Sequence, residues 1–137
     1  AGAFENAQKY SEAKEMAFID SLTNLYNSKY LELVLDKEIK RADRLMMPVT
    51  VLFLDLDNFK RINDSLGHAV GDDVLRMAAT WLRTCVRESD TVARFGGDEF
   101  AILLPNVAHQ DDLGTIAGKI LNALGFEQHL FEPWKGQ

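Results

Sequence analysis

Acidic residues follow two apolar segments of the chain, in positions where they could bind a metal ion. Asp55-Leu56-Asp57 comes directly after the run Val49–Leu54, and Asp98-Glu99 comes directly after Gly96-Gly97. Ligands of open α/β sheets gather at strand ends. Carboxylates and a backbone carbonyl are oxygen ligands that Mg²⁺ prefers, with substrate phosphates completing its shell. The spacing predicts a strand end and a hairpin tip that jointly offer three carboxylates, which either bind metal or have raised pKa values.

Each of these segments also has a purely structural interpretation. Asp57 or Asn58 could simply cap the following helix. Gly96-Gly97 could be a plain hairpin turn with a polar tip, in which glycine permits a positive φ. An EF-hand is excluded, because the sixth position counted from Asp55 is Lys60 and the twelfth is Leu66. The acidic segments alone leave both interpretations open.

The elements that must position these residues follow from apolar periodicity and from glycine and proline. Five helices and three strands are predicted, which indicates an α/β (α+β) fold with helices layered on a mixed sheet. Three strands are fewer than the usual sheet of about four to six, so we expect the domain to continue beyond Gln137. The helices are 1–19, Ser28–Met47, Phe59–Leu66, Val70–Arg87 and Asp111–Leu124, and the strands are Val49–Leu54, Thr91–Arg94 and Glu99–Leu104.

Two groups of residues are interpreted from their apolar character. Phe59, Ile62, Trp81 and the methionines are expected in the core. The predicted helix over residues 1–19 is weakly amphipathic. It could pack on its own domain, or it could be the end of a linker helix from an upstream module.

Length and charge restrict the function. The 137 residues suggest one domain with a sizeable core. With 15 basic and 21 acidic residues the net charge is −6, which argues against binding a nucleic-acid duplex through a broad basic face. The single cysteine, Cys85, excludes an internal disulfide and a cysteine zinc site, and no apolar run approaches the ~20 residues of a membrane span. We expect a cytoplasmic domain, or the cytoplasmic part of a membrane-anchored protein.

Four ordered motifs over residues 20–100 resemble the signatures of GGDEF-domain diguanylate cyclases. Residues 96–100 spell GGDEF, and Asp20–Asn27 is similar to the family's opening D-x-L-T-x-L-x-N. Asp55–Asp64 resembles D-x-D-x-F-K-x-x-N-D, and residues 67–72 resemble G-H-x-x-G-D. The resemblance implies a fold similar to the palm of nucleotidyl cyclases and polymerases, with a ferredoxin-like central sheet flanked by helices. Residues 20–137 would form this domain, and residues 1–19 would be a linker or signalling helix.

The resemblance also implies an activity and a ligand set. Members join two GTP molecules into cyclic di-GMP and release two pyrophosphates, with one GTP on each domain of a head-to-tail homodimer. Two Mg²⁺ or Mn²⁺ ions per active site would be held by Asp55, Asp98 and Glu99 with the Leu56 carbonyl. Asp98 is the candidate proton acceptor, with Glu99 completing the acidic cluster, and Lys60 would face the phosphates.

Further residues match the family's nucleotide site. Asn63 and Asp72 would bind guanine, His68 would line the same site, and Gly96 and Gly97 would let the nucleotide come close. Helix capping is the alternative for Asn63 and Asp72, and a surface loop position is the alternative for His68. An upstream sensor domain is the partner that the resemblance suggests.

Residues 87–90 (RESD) resemble the R-x-x-D site through which cyclic di-GMP inhibits many cyclases. Arg87 could bind a guanine edge or a phosphate, and Asp90 could accept from guanine. The alternative is an ion pair between positions i and i+3 at a helix end.

The family's C-terminal strand with S-I-G-V/A and helix with K-x-x-G-R are not found in these residues. Part of the phosphate-binding residues would therefore lie beyond Gln137, and full activity is not expected of the 137 residues alone. The competing functions are a receptor that binds cyclic di-GMP or GTP without making product, and a regulatory module that acts with a phosphodiesterase domain. The intact GGDEF signature argues against a receptor.

Overall fold

The computed structural model describes residues 17–107, 110–124 and 132–134. Within them the chain forms helices and one antiparallel sheet. The helices are α1 (Ser28–Leu45), α2 (Phe59–Leu66), α3 (His68–Cys85) and α4 (Gln110–Leu124), and the strands are β1 (Val49–Asp55), β2 (Thr91–Arg94), β3 (Glu99–Pro105) and β4 (Glu132–Trp134). The strand order is β2-β3-β1-β4, and every strand pair is antiparallel. The predicted α+β class is confirmed, but the four strands form an antiparallel sheet rather than a mixed one.

Both faces of the sheet are covered, because successive side chains of a strand point to opposite faces. Leu52 and Leu54 of β1 belong to the larger core, which includes residues of α3 and α4. Val51 belongs to a smaller core with Leu31 of α1. The prediction that β1 is buried on both faces is confirmed, except at Phe53, which is 41% exposed.

The first described helix ends two residues earlier than predicted. Asn27 caps its start, since the side chain accepts a hydrogen bond from the Tyr30 N–H at 3.2 Å. At the other end Met46 adopts a left-handed conformation (φ 55°), and its N–H donates to the Ala42 carbonyl. The helix therefore stops before Pro48. None of the described helices is long and apolar enough to cross a membrane.

The second and third helices are joined by a single residue, Gly67. Its φ of 92° lies in a region that favours glycine. Its N–H donates to the Asn63 carbonyl at 2.9 Å, and its carbonyl accepts from the Gly71 N–H at 3.2 Å. This short connection brings the first turn of α3 close to the last turn of α2.

Several predictions are corrected by the structure. A fourth strand, Glu132–Trp134, lies in the tail and pairs with β1. Residues 17–19, predicted as the end of a helix, form a turn and a bridge from Ile19 to Tyr26, and residues 1–16 lie outside the described part. Met46, Met77 and Trp81 are 88%, 70% and 39% exposed rather than buried in the core. The buried face of α3 is formed instead by Leu75, Ala78, Ala79, Leu82 and Cys85, with Gly71.

Candidate active site

The end of β1 and the start of β3, the two central strands, bring acidic residues together at one end of the sheet. Asp55, the last residue of β1, is the register partner of Glu99, the first residue of β3. The Leu56 N–H donates to the Asp98 carbonyl at 3.0 Å, so the two segments stay paired one residue beyond the strand. Like charges directly opposite each other in an antiparallel pair are destabilising. The fold therefore holds Asp55, Asp98 and Glu99 together against their mutual repulsion.

This repulsion contributes to a raised pKa of the Asp55 carboxyl. Burial raises the pKa of its carboxyl, and Asp98 raises it further through its charge and a hydrogen bond. The charges of Glu99 and Asp57 act in the same direction. Three neighbouring carboxylates thus disfavour the ionisation of Asp55.

The donor set fits a divalent cation. Carboxylate oxygens are the preferred ligands of Mg²⁺, and a cation between them would remove the repulsion. The Leu56 side chain lies in the core, so this residue can face the cluster only through its backbone. Across residues 17–107, 110–124 and 132–134, no three His, Cys, Asp or Glu side chains already converge as a ligand set.

The turn between β2 and β3 is tight at its first glycine and open at its second. The Glu99 carbonyl accepts from the Phe95 N–H at 2.8 Å and from the Gly96 N–H at 3.3 Å. A Cβ atom added at Gly96 would lie 2.8 Å from Oε2 of Glu99, whereas one added at Gly97 would meet nothing within 4 Å. The hairpin prediction is confirmed, but neither glycine has a positive φ. A side chain at residue 96 would therefore require the Glu99 carboxylate to move away from the turn.

The Arg94 guanidinium binds the backbone carbonyls of this turn. Its Nη2 donates to the Gly97 carbonyl at 2.8 Å, and its Nε lies 3.2 Å from both the Gly96 and the Gly97 carbonyl. Its Nη1 lies 3.2 Å from each carboxylate oxygen of Asp20. One guanidinium therefore links the turn that carries Asp98 to a residue 74 positions earlier.

Asp20 is held in turn by its own loop. Its Oδ2 accepts from the Thr23 N–H at 2.9 Å and from the Thr23 hydroxyl at 2.7 Å. Burial alone would raise the pKa of Asp20, but the hydrogen bonds from Thr23 and Arg94 outweigh it and lower the pKa below 3.8. Sequence reasoning assigned no role to Asp20 or Arg94, although Asp20 opens the first matched motif and Arg94 lies two residues before the GG pair.

The predicted guanine-binding residues lie on α2 and α3. Asn63 is half-buried, and its side chain contacts Gly71, one residue before the half-buried Asp72. Neither residue caps its helix, because the N-cap positions are Asn58 and Gly67, and Asn58 makes no side-chain capping bond. The capping alternatives for Asn63 and Asp72 are therefore wrong. Of Asp57 and Asn58, it is Asn58 that occupies the N-cap position, but without a side-chain capping bond. Lys60 and His68 are exposed on α2 and at the start of α3.

An aromatic pair beside the acidic cluster was not foreseen from the sequence. The rings of Phe53 and Phe95 meet edge to face with centroids 5.7 Å apart, and both side chains are more than 40% exposed. With Leu54, Asp55 and Glu99 they line a cavity of about 270 Å³. The acidic cluster thus opens onto a partly apolar recess.

Arg87 and Asp90 form the i,i+3 ion pair that was the structural alternative. Nη2 of Arg87 lies 2.8 Å from Oδ1 of Asp90, and it also donates to the Pro105 carbonyl at 2.9 Å. The Arg87 side chain is 49% exposed, whereas that of Asp90 is fully buried. Asp90 also lines a larger recess of about 410 Å³, together with Asn24 and Arg83. This recess contains none of the acidic cluster.

Comparison with known proteins gives a consistent result. Residues 17–130 match the family described as diguanylate cyclase, GGDEF domain. The chain is 44% identical over 99 residues to the response regulator PleD of Caulobacter vibrioides, covering 72% of this chain and 22% of PleD. It is 47% identical over 105 residues to the diguanylate cyclase TpbB of Pseudomonas aeruginosa, covering 77% of this chain and 24% of TpbB. The chain thus spans about a quarter of the length of these curated relatives.

Solved structures agree with these relatives. The coiled coil and GGDEF domain of DgcB from Caulobacter crescentus, in complex with c-di-GMP, superposes with a TM-score of 0.81 at 29% identity. The match covers 86% of this chain and 62% of the DgcB chain. The predicted palm-like cyclase fold is confirmed by these GGDEF neighbours. With its GGDEF turn paired to the acidic end of β1, the chain belongs to the GGDEF-domain family.

Proposed function

We propose that this domain is the catalytic part of a diguanylate cyclase, which condenses two GTP molecules into cyclic di-GMP and releases two pyrophosphates. The observation that carries this proposal is the pairing of Asp55 with Glu99, which gathers carboxylates at one end of the two central strands of the sheet. The relative TpbB is named a diguanylate cyclase, and the DgcB structure contains c-di-GMP. An intact acidic cluster favours synthesis over mere binding.

Each of the two bond-forming steps forms one P–O bond and breaks another. The 3′-oxygen of one GTP attacks the α-phosphorus of the other, and the bond to pyrophosphate breaks as the new P–O bond forms. The hydroxyl proton passes to the Asp98 carboxylate, which lies at the turn paired to the end of β1 and would act as the general base. Two such steps close the ring.

Metal-binding residues are assigned from the same cluster. Asp55, Asp98 and Glu99 with the Leu56 carbonyl would hold the divalent cations, two Mg²⁺ or Mn²⁺ per site. When bound, these ions supply the positive charge that polarises the α-phosphate and favours ionisation of the attacking hydroxyl. The carboxylates are suited to this because a bound cation would offset the repulsion that contributes to the raised pKa of Asp55.

The remaining residues bind and orient the nucleotide. Asp72 would accept from guanine N1–H and N2–H₂, while the Asn63 amide would bind the remaining edge and His68 would line the site. Lys60 is exposed in the first turn of α2, and it would stabilise the charge that develops on the phosphates. The open face of Gly97, where a Cβ would meet nothing within 4 Å, leaves room for the nucleotide to approach the turn.

The assembly and its control complete the proposal. Two domains would act head to tail as a homodimer, each with one GTP, and an upstream sensor would regulate them through the linker over residues 1–19. Cyclic di-GMP would inhibit at Arg87 and Asp90, because the half-exposed guanidinium of Arg87 can reach a guanine edge or a phosphate. The use of GTP indicates that the domain works in the cytoplasm.

The test is direct synthesis. Full-length protein is mixed with GTP and Mg²⁺, and cyclic di-GMP is measured by chromatography. Asp98→Ala is expected to lower the rate by at least about 100-fold, because a proton acceptor contributes about 10²–10⁴-fold to the rate. Asp36→Ala is the matched control, because Asp36 is an exposed carboxylate in a surface pair with Lys40. Absence of product from the parent, or equal rates for the parent and Asp98→Ala, would rule out the enzyme.

A further inference from the structure

Gly71 leaves a niche in the first turns of α3, and the Asn63 side chain fills it. Gly71 is buried. A Cβ atom built on it would overlap with Oδ1 of Asn63 and would lie 2.9 Å from Cγ of the same residue. The next atom met would be Cζ of Phe59, at 3.4 Å. The end of the Asn63 amide therefore occupies the space that any side chain at residue 71 would need.

The local fold fixes this contact. Asn63 is one turn after Phe59 on α2, and Gly67 alone joins α2 to α3. The backbone bonds from Gly67 to Asn63 and from Gly71 to Gly67 hold the two helices close at this point. The Asn63 amide consequently lies against the backbone immediately before Asp72.

Glycine at this position is not explained by backbone conformation. The φ of Gly71 is not positive, and glycine is a poor helix former, so alanine would suit the helix better. The obstacle to alanine is the far end of the Asn63 side chain rather than backbone. A methyl group at residue 71 can therefore be accommodated if the amide moves away, and the fold itself is retained.

We propose that Gly71 is a positioning residue for guanine recognition, because its missing side chain makes the niche that sets the Asn63 amide beside Asp72. The proposal rests on the proposed function, in which Asn63 and Asp72 bind guanine. It adds a residue that touches no nucleotide itself and acts only through Asn63.

The experiment is a double-mutant cycle in the full-length protein with Gly71→Ala, Asn63→Ala and the double variant. The ligand is the α,β-methylene analogue of GTP with Mg²⁺, which cannot be cleaved at the scissile bond. Gly71→Ala is expected to weaken binding about tenfold, since roughly one hydrogen bond to the base is lost. In the Asn63→Ala background the same change is expected to have no effect, because the amide is already absent. Gly118→Ala on α4 is the control, because a Cβ there meets nothing within 4 Å.

Two further measurements separate the possible causes. Thermal unfolding of Gly71→Ala is expected at or above the parent temperature, which distinguishes displacement of the amide from loss of folding. The side-chain amide resonances of Asn63 are expected to shift in Gly71→Ala without nucleotide present. Unshifted resonances, parental affinity, or an equal loss of affinity in the Asn63→Ala background would overturn the proposal. A parent that binds no nucleotide, with the resonance shift present, would instead refute the proposed function.

Discussion

Arg87 and Asp90 combine a structural contact with the proposed inhibitory site. Oδ2 of Asp90 accepts from the backbone N–H of Arg87 at 2.7 Å, a bond that does not depend on the side chain at residue 87. The buried carboxylate would therefore keep a donor if the guanidinium were removed. The half-exposed Arg87 side chain is the part of the pair that a ligand can reach first.

Arg87→Ala is accordingly expected to relieve inhibition by cyclic di-GMP. A charge-assisted hydrogen bond contributes about 1.5–3 kcal/mol. The concentration of cyclic di-GMP that gives half-inhibition should therefore rise by roughly tenfold or more. The measurement is the rate at increasing cyclic di-GMP, taken relative to the uninhibited rate of each variant. Arg76→Ala serves as the control, because Arg76 forms an exposed i,i+3 pair with Asp73 on α3. Equal inhibition of Arg87→Ala and the parent would remove the regulatory role and leave only the ion pair.

The β2–β3 hairpin depends on a contact outside its own strands. Arg94 and Asp20, with side chains 18% and 21% exposed, connect the turn carbonyls to the loop that precedes α1. The same loop is attached to α3, since Nη2 of Arg83 donates to the Thr23 carbonyl at 3.1 Å. The turn that carries Asp98 is thus connected through Arg94 to the loop before α1, and that loop is connected through Arg83 to α3.

Asp20→Asn is expected to destabilise the domain in a pH-dependent way. The pKa of Asp20 is lowered below 3.8, so the stability it contributes is present above that pH and is lost as the pH falls through the lowered value. At pH 7 the variant should lose about 1.5–3 kcal/mol in urea unfolding, the range for hydrogen bonds to a charged group. The difference from the parent should shrink toward pH 3. Asp36→Asn, in an exposed pair, should change stability by less than about 1 kcal/mol. A loss for Asp20→Asn that is constant over this pH range would contradict the role of its charge.

Local sequence patterns predicted most elements but not their long-range contacts. β1, α2 and β2 are found within one residue of their predicted bounds, because β-branched runs and glycine mark them locally. The strand Glu132–Trp134 was missed, since three residues that include Pro133 show no alternation and are defined only by pairing with β1. The exposed faces of Met77 and Trp81 were misassigned because both lie beside the true apolar stripe of α3.

For the candidate site, too, the sequence identified residues that follow local signals but not the contacts between separate elements. Asp55, Asp98 and Glu99 were singled out because each follows a strand or turn signal, and antiparallel pairing then joins them. The contacts of Arg94 with Asp20 and of Gly71 with Asn63 could not be derived, since each depends on side-chain packing between separate elements. The motif matches include Asp20, Asn63 and Gly71 without showing what these residues contact, and Arg94 lies outside the matched motifs.

At the scale of the whole molecule, the proposed reaction suits a pair of domains. Cyclic di-GMP contains two equivalent phosphodiester bonds, and the proposal gives each domain one GTP and one acidic cluster. A symmetric pair of domains presents the two sites to each other in the same way, which suits a product with two-fold symmetry. In this proposed arrangement, a dimer with one defective site would form at most one of the two bonds.

Mixing parent and Asp98→Ala chains tests this requirement. When equal amounts are refolded together, cyclic di-GMP synthesis per parent chain is expected to fall to about half, because random pairing places about half of the parent chains with a defective partner. Mixing with Asp36→Ala, a change remote from the acidic cluster on an exposed surface, should leave the rate per active chain unaltered. A parent rate that is insensitive to Asp98→Ala would show that single chains complete the reaction. Such a result would overturn the proposed dimer, whereas the role of the acidic cluster is tested separately by the rate of Asp98→Ala alone.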